Sequence, residues 1–191
     1  MKPTSAILAF AVLLPGASAL AQSMESPAQR IAAQREAMAR FANLDGAWRG
    51  QATMTLPNGQ KHEITQTERV GGFLDGAVKL VEGRGYEADG KVSFNALGVI
   101  SYDPATRVYT MHSNAQGYTG NFVLTPSPDG FSWEIPAGPM NIKYTATVKD
   151  GAWREVGDRI VSGKAPVRFF DMTLRRIGST TWPAGDPVPA K

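Results

Sequence analysis

A chain of 191 residues without a single cysteine excludes disulfide bonds, thiol nucleophiles, thiolate metal sites and the acylated cysteine of a bacterial lipoprotein. Its 20 basic and 17 acidic residues leave a formal charge of +3, too small an excess to argue for nucleic acid or an anionic membrane as partner. The length suits one domain with a sizeable core, and no apolar run is long enough to span a bilayer.

Lys2, the short apolar run 6–14 (AILAFAVLL) and the small residues Ala19-Leu20-Ala21 form the three-part pattern of a secretory signal peptide. Cleavage after Ala21 is expected, which sets residues 1–21 aside and makes the protein exported, periplasmic or secreted. Residues 22–43 read as a leader and an N-terminal helix. Ser26-Pro27 supplies an N-cap and a proline at the first helical position. Ile31, Arg35, Met38 and Phe41 or Ala42 then recur at helical spacing. The apolar side is thin, so the helix is expected across an open end of a larger body, with a detached arm as the alternative.

The stretch 44–56 (LDGAWRGQATMTL) is the one around which the remaining strands are organised. Trp48, Gly50, Ala52, Met54 and Leu56 fall on one face, and Arg49, Gln51, Thr53 and Thr55 on the other, as in a half-buried antiparallel strand. Residues 60–70 place His62, Ile64, Gln66, Glu68 and Val70 on one face, and Gly71-Gly72 is expected to break that strand. A third strand, bulged at Gly76 or bent at Gly83, spans 73–85; residues 92–96 are ambiguous, and further strands cover 97–102, 107–113 and 118–125. Phe131, Trp133 and Ile135 alternate with polar residues, as do Met140, Ile142, Tyr144, Ala146 and Val148. Strands at 152–161 and 169–177 complete the series, the last with Phe170, Met172, Leu174 and Arg176 on one side.

About ten short strands joined by tight turns, without crossover helices, imply an up-and-down antiparallel sheet. So many strands relieve their edges best by closing into a barrel over residues 44–178. The motif Asp45-Gly46-Ala47-Trp48-Arg49 returns at 150–154; unmatched flanks make this a repeated turn-plus-anchor solution and not a duplication. The tail 179–191, with Pro183, Pro187 and Pro189, is expected to be disordered.

The Gly46-x-Trp48 opening of the first strand, with Arg175 or Arg176 near the end of the last, resembles the calycin barrels: lipocalins, fatty-acid-binding proteins and nitrobindin-like haem barrels. In that family the tryptophan closes one end and the late arginine packs across it, a planar cation against an indole face. Within the group, segments 44–50 (LDGAWRG), 66–76 (QTERVGGFLDG) and 97–109 (LGVISYDPATRVY) look like the bacterial domain-of-unknown-function family 1579. The resemblance covers most of residues 44–115 and thereafter only the strand rhythm. It implies a calycin-like barrel and no established activity.

His62 and His112 are the two histidines. The nitrobindin-like resemblance would allow either to ligate haem; otherwise each is a satisfied or exposed histidine and no cofactor is expected. Two histidines so far apart form no zinc motif. Gly83-Arg84-Gly85-Tyr86-Glu87-Ala88 matches the dinucleotide pattern in letters, but an Asp-Gly turn comes next where the chemistry needs a helix N-terminus. Arg168-Phe169-Phe170 and Arg175-Arg176 interleave bases with aromatics, a nucleic-acid pattern that export and low net charge argue against.

The polar residues at inward positions carry more. Gln66, Glu68, Glu155 and Arg159 would not sit unpaired in a sealed apolar core. In a barrel with a cavity they would meet a ligand's polar group, while Met54, Phe122, Trp133, Tyr144 and Phe170 line the apolar part. The alternative is a structural bridge from Glu68 or Glu155 to Arg159 or Arg176. Three functional readings stand: a small, largely apolar ligand held in the barrel; an enzyme using Glu68 or Glu155 on a hydrophobic substrate; or a filled barrel whose surface binds another protein. No spacing singles out a catalytic pair.

Overall fold

Ten antiparallel strands close on themselves in the computed structural model, which describes residues 26–180. They are β1 (Gly46–Thr55), β2 (Lys61–Phe73), β3 (Val78–Tyr86), β4 (Val92–Asp103), β5 (Val108–Ala115), β6 (Tyr118–Ser127), β7 (Gly130–Ala137), β8 (Met140–Lys149), β9 (Ala152–Val161) and β10 (Val167–Gly178). Each strand pairs with the next in sequence, and β1 pairs with both β2 and β10 to seal the barrel. The expected signal segment, its cleavage point, the leader up to residue 25 and the tail from residue 181 lie outside the described residues.

Two strand limits differ from the sequence reading. Gly71 and Gly72 do not break β2; they pair with Leu80 and Lys79, and the chain reverses only at Leu74-Asp75-Gly76. Glycine tolerates extended pairing as well as turning, and here the turn is held by the Arg35–Asp75 ion pair at 2.6 Å. In place of the expected bulge at Gly76 or bend at Gly83, the irregularity falls between Gly85 and Tyr86. Residues 92–96 belong to β4.

A helix α1 (Pro27–Met38) and a 3₁₀ helix (Ala39–Leu44) cross one end of the barrel. Ser26 caps α1 through a reciprocal box with Gln29. The expected helical face is corrected in one respect: Ile31 is 43% exposed, and the burial comes from Met38, Phe41 and Leu44 at and beyond the end of α1. The straight helix is held to the barrel by polar contacts instead, with Gln34 Nε2 donating to the Tyr102 carbonyl and the Tyr109 hydroxyl to that of Ala37. Phe41 then plugs the end, edge-on to Tyr109 and Phe131 at 5.4 and 5.7 Å.

Trp48 lies beneath this plug, 1% exposed. Its indole N–H donates to the Leu44 carbonyl at 2.8 Å, and its ring meets Trp153 edge-on at 5.9 Å. The two copies of the Asp-Gly-Ala-Trp-Arg motif thus deliver two tryptophans to one floor. Arg176 pairs across from Trp48, whereas Arg175 pairs across from Arg49 on the outer face. Gly46, at φ +135°, explains its own identity: a Cβ there would stand 2.6 Å from Arg176 Nε.

Candidate functional site: the barrel cavity

Side chains alternate across a strand and in-register partners share a face, so the register defines the barrel's lining. Met54 stands across from His62 and Phe170, Gln66 from Gly50 and Gly85, Glu68 from Trp48 and Gly83. Trp133 stands across from Tyr144, Tyr144 from Gly157, and Glu155 from Ala146 and Met172. Between these walls lies a cavity of about 450 Å³. The plug of Phe41, Trp48 and Trp153 closes it at one end. At the other, Met54 (42% exposed) and His62 stand at its mouth.

The walls differ in kind. On β7, β8 and β10, Phe131, Trp133 and Tyr144 stack in a ladder, with Trp133 and Tyr144 4.9 Å apart and 15° from parallel. Phe170 meets Tyr144 edge-on at 5.9 Å. On β3, β4 and β5 the inward positions include Gly83, Ala96, Gly98, Ser113 and Ala115. These small residues, beside Val81, Phe94, Ile100 and Met111 on the same strands, leave part of the interior open.

The polar groups gather toward the floor. Gln66, 3% exposed, donates from Nε2 to Glu68 Oε1 at 2.8 Å. A Cβ at Gly83 would lie 2.7 Å from the same carboxyl, so the glycine lets Glu68 hold this position and a larger residue would make it shift. Burial pushes the Glu68 carboxyl up to about 7, Gln66 opposes this, and Glu82 adds to it. Burial and then the charge of Glu68 push Glu155 up to about 8. The Trp153 indole N–H opposes that rise, yet it closes no hydrogen bond of good geometry and is left an unpartnered buried donor. Burial, and next Glu155, also push the Tyr144 hydroxyl up to about 12.

Of the residues singled out in the sequence, Met54, Gln66, Glu68, Phe122, Trp133, Tyr144, Glu155 and Phe170 all line this cavity. Arg159 does not. Its guanidinium lies over the Phe169 ring at 4.5 Å, and among the described residues neither Glu68 nor Glu155 has an ion-pair partner. The structural bridge to Arg159 or Arg176 is therefore corrected to an uncompensated acid pair. Held over the Phe169 ring, the Arg159 guanidinium keeps its charge away from the buried acids.

Sequence reasoning missed several lining residues. Phe131, Ile135 and Trp153 share the parity of Trp133 and Glu155, so alternation alone could have found them. Phe169, which packs against Tyr144 and is not itself part of the lining, carried no such signal. A register shift between Arg168 and Phe170 turns it toward Tyr144 as well, its ring 6.1 Å away.

His62 reaches the mouth beside Glu87 at 3.1 Å, whereas His112 bonds Asn121 on the outer face. Among the described residues no cluster of three or more His, Cys, Asp or Glu could hold a metal ion, and no helix is long and apolar enough to cross a membrane. A larger concavity of about 730 Å³ lies on the outside of the sheet near Leu97 and Tyr118. It is a broad surface groove whose acid, Glu82, is already paired with Arg84 and Arg69. The interior cavity, where two carboxyls without a counter-charge converge, is the candidate site.

No sequence-family profile matches the chain, and no curated protein does. Solved structures do resemble it in fold. Rv2717c from M. tuberculosis superposes with a TM-score of 0.57 at 13% identity, over 73% of this chain and 96% of its own. An S-type phycobiliprotein lyase, CPES, from Guillardia theta does so with a TM-score of 0.50 at 13% identity, over 73% and 92%. Both are ten-stranded barrels of the calycin-like type, and that is the architecture this chain shares with them.

Proposed function

We propose that this chain is an exported member of the family 1579 resemblance group whose barrel holds a small, largely apolar molecule. One observation carries the ligand reading: an interior cavity of about 450 Å³ with an aromatic ladder on one wall and two carboxyls without a counter-charge toward its floor. A sealed core would have filled that volume and would not keep two acids without a counter-charge. The export reading rests on the residues 2–21, whose charged start, short apolar run and small-residue site have the order of a signal peptide.

Native mass spectrometry of protein purified from its own host tests the ligand reading. A mass increment is expected that disappears in Ala96→Trp, which fills the cavity from the small-residue wall. A bare polypeptide mass, with no uptake of a fluorescent fatty acid or neutral lipophilic dye, contradicts it. The mature mass in the same spectrum reports cleavage after Ala21.

The acid pair also favours a second reading. Glu68 and Glu155, with carboxyls pushed toward neutrality in a cavity, are suited to act as acid and base on a hydrophobic substrate. Turnover that survives both Glu68→Gln and Glu155→Gln disposes of that reading.

A further inference from the structure

Glu68 and Glu155 come from β2 and β9, strands separated in the sheet by β1 and β10, and converge within the same cavity. Each has an N–H donor beside it and no cation. Gln66 Nε2 lies 2.8 Å from Glu68, and the Trp153 indole N–H, on a side chain only 3% exposed, acts on Glu155 without closing a hydrogen bond of good geometry. The cavity therefore presents acceptors, plus donors suited to hold those acceptors ionised, and lacks a positive charge at its centre.

We propose that the ligand is a flat, mostly apolar molecule bearing a basic nitrogen, an amine or amidine, whose cationic group seats between Glu68 and Glu155 while its flat body lies along Trp133 and Tyr144. This rests on the ligand-binding reading above and specifies its chemistry. An ammonium supplies only donors, which matches what the two carboxyls lack. Ionised by such a neighbour, Glu155 becomes a stronger acceptor for the Trp153 N–H beside it. The near-parallel Trp133–Tyr144 ladder offers a continuous flat face whose electron-rich surface also favours a nearby cation. A carboxylate headgroup would instead meet two acids in a poorly solvated floor, and like charges there are disfavoured.

The same geometry governs titration. Burial raises both carboxyls and Glu68 raises Glu155 further, so the empty pair retains protons near neutral pH and a cation displaces them. The other titratable groups around the pair are Glu82 on the outer side of the sheet, Tyr144 on the ladder, Arg159, whose charge acts on Tyr144 against the rise, and His62 at the mouth. Glu82 already bonds arginines, and His62 bonds Glu87.

Three matched fluorescent probes test the proposal: 9-(aminomethyl)anthracene, 9-(hydroxymethyl)anthracene and anthracene-9-carboxylate. At pH 8 the full chain should bind the amine about tenfold more tightly than the alcohol and the carboxylate most weakly. Calorimetry in buffers of differing ionisation enthalpy should show protons released with the amine and none with the alcohol. In Glu68→Gln/Glu155→Gln the ratio of amine to alcohol affinity should fall to about one; the two single variants and the wild-type pH profile provide the same comparison if the double variant does not fold. Equal binding of amine and alcohol, an advantage that persists in the double variant, or preference for the carboxylate overturns the cation proposal and leaves the cavity reading standing. Failure of all three to bind overturns both.

Discussion

Glu68 and Glu155 set the pH response of the fold. A carboxyl whose folded value lies above its ordinary 4.5 binds more protons folded than unfolded, so stability falls as pH rises through that interval. Folded stability should be fullest below about pH 4.5 for this pair and decline toward pH 7 for Glu68 and pH 8 for Glu155, by up to about 1.4 kcal/mol per pH unit for each group. Thermal melts between pH 5 and 8 are expected to show a falling Tm, with the slope flattened in Glu68→Gln/Glu155→Gln and that variant the more stable at pH 8. A Tm that rises across the range would show that the acids are solvated or paired. Trp48 acts at the same scale: sealed under the plug and bonded to Leu44, it should cost roughly 3–5 kcal/mol when replaced by alanine, read by urea unfolding.

The N-terminal element divides into two parts with different work. Helix α1 exposes Ile31 and is held by its capping box and by side-chain bonds to Tyr102, Asp75 and Tyr109. Ser26→Ala should therefore cost about 1 kcal/mol, seen as faster amide exchange confined to α1, with the barrel's protection unchanged. The 3₁₀ helix buries Phe41 and Leu44 in the common core. Phe41→Ala should destabilise the whole barrel by roughly 3–5 kcal/mol, in a single cooperative transition. The bulge in β10 is the third feature of this kind. By turning both Phe169 and Phe170 toward Tyr144 it thickens the aromatic wall and leaves Arg159 a ring to lie over.

For the molecule as a whole, cavity and stability are linked. A ligand that enters the closed barrel and not the unfolded chain raises stability by about 2.7 kcal/mol at a hundredfold excess over its Kd. An anthracene probe should thus raise Tm in proportion to the logarithm of its concentration. Ala96→Trp should abolish that rise while leaving the unliganded chain folded, since its side chain enters space that is already empty. A Tm shift that survives this substitution would show that the probe binds outside the cavity.

Alternation, turn residues and the Gly46-x-Trp48 opening were enough to state ten strands, a closed barrel and which of its faces looks inward, because a period of two leaves each side chain only two sides to take. Eight of the nine candidate lining residues came from that parity. Closure decided the rest. It alone brought Glu68 and Glu155, distant in sequence and on strands that do not touch, close enough to shift one another, and it showed that Arg159 stacks on Phe169 and does not reach them. Local pattern governs where a side chain points; how far it stands from groups on other strands depends on register, bulges and the room left by Gly83, Ala96 and Gly98, which are properties of the assembled sheet.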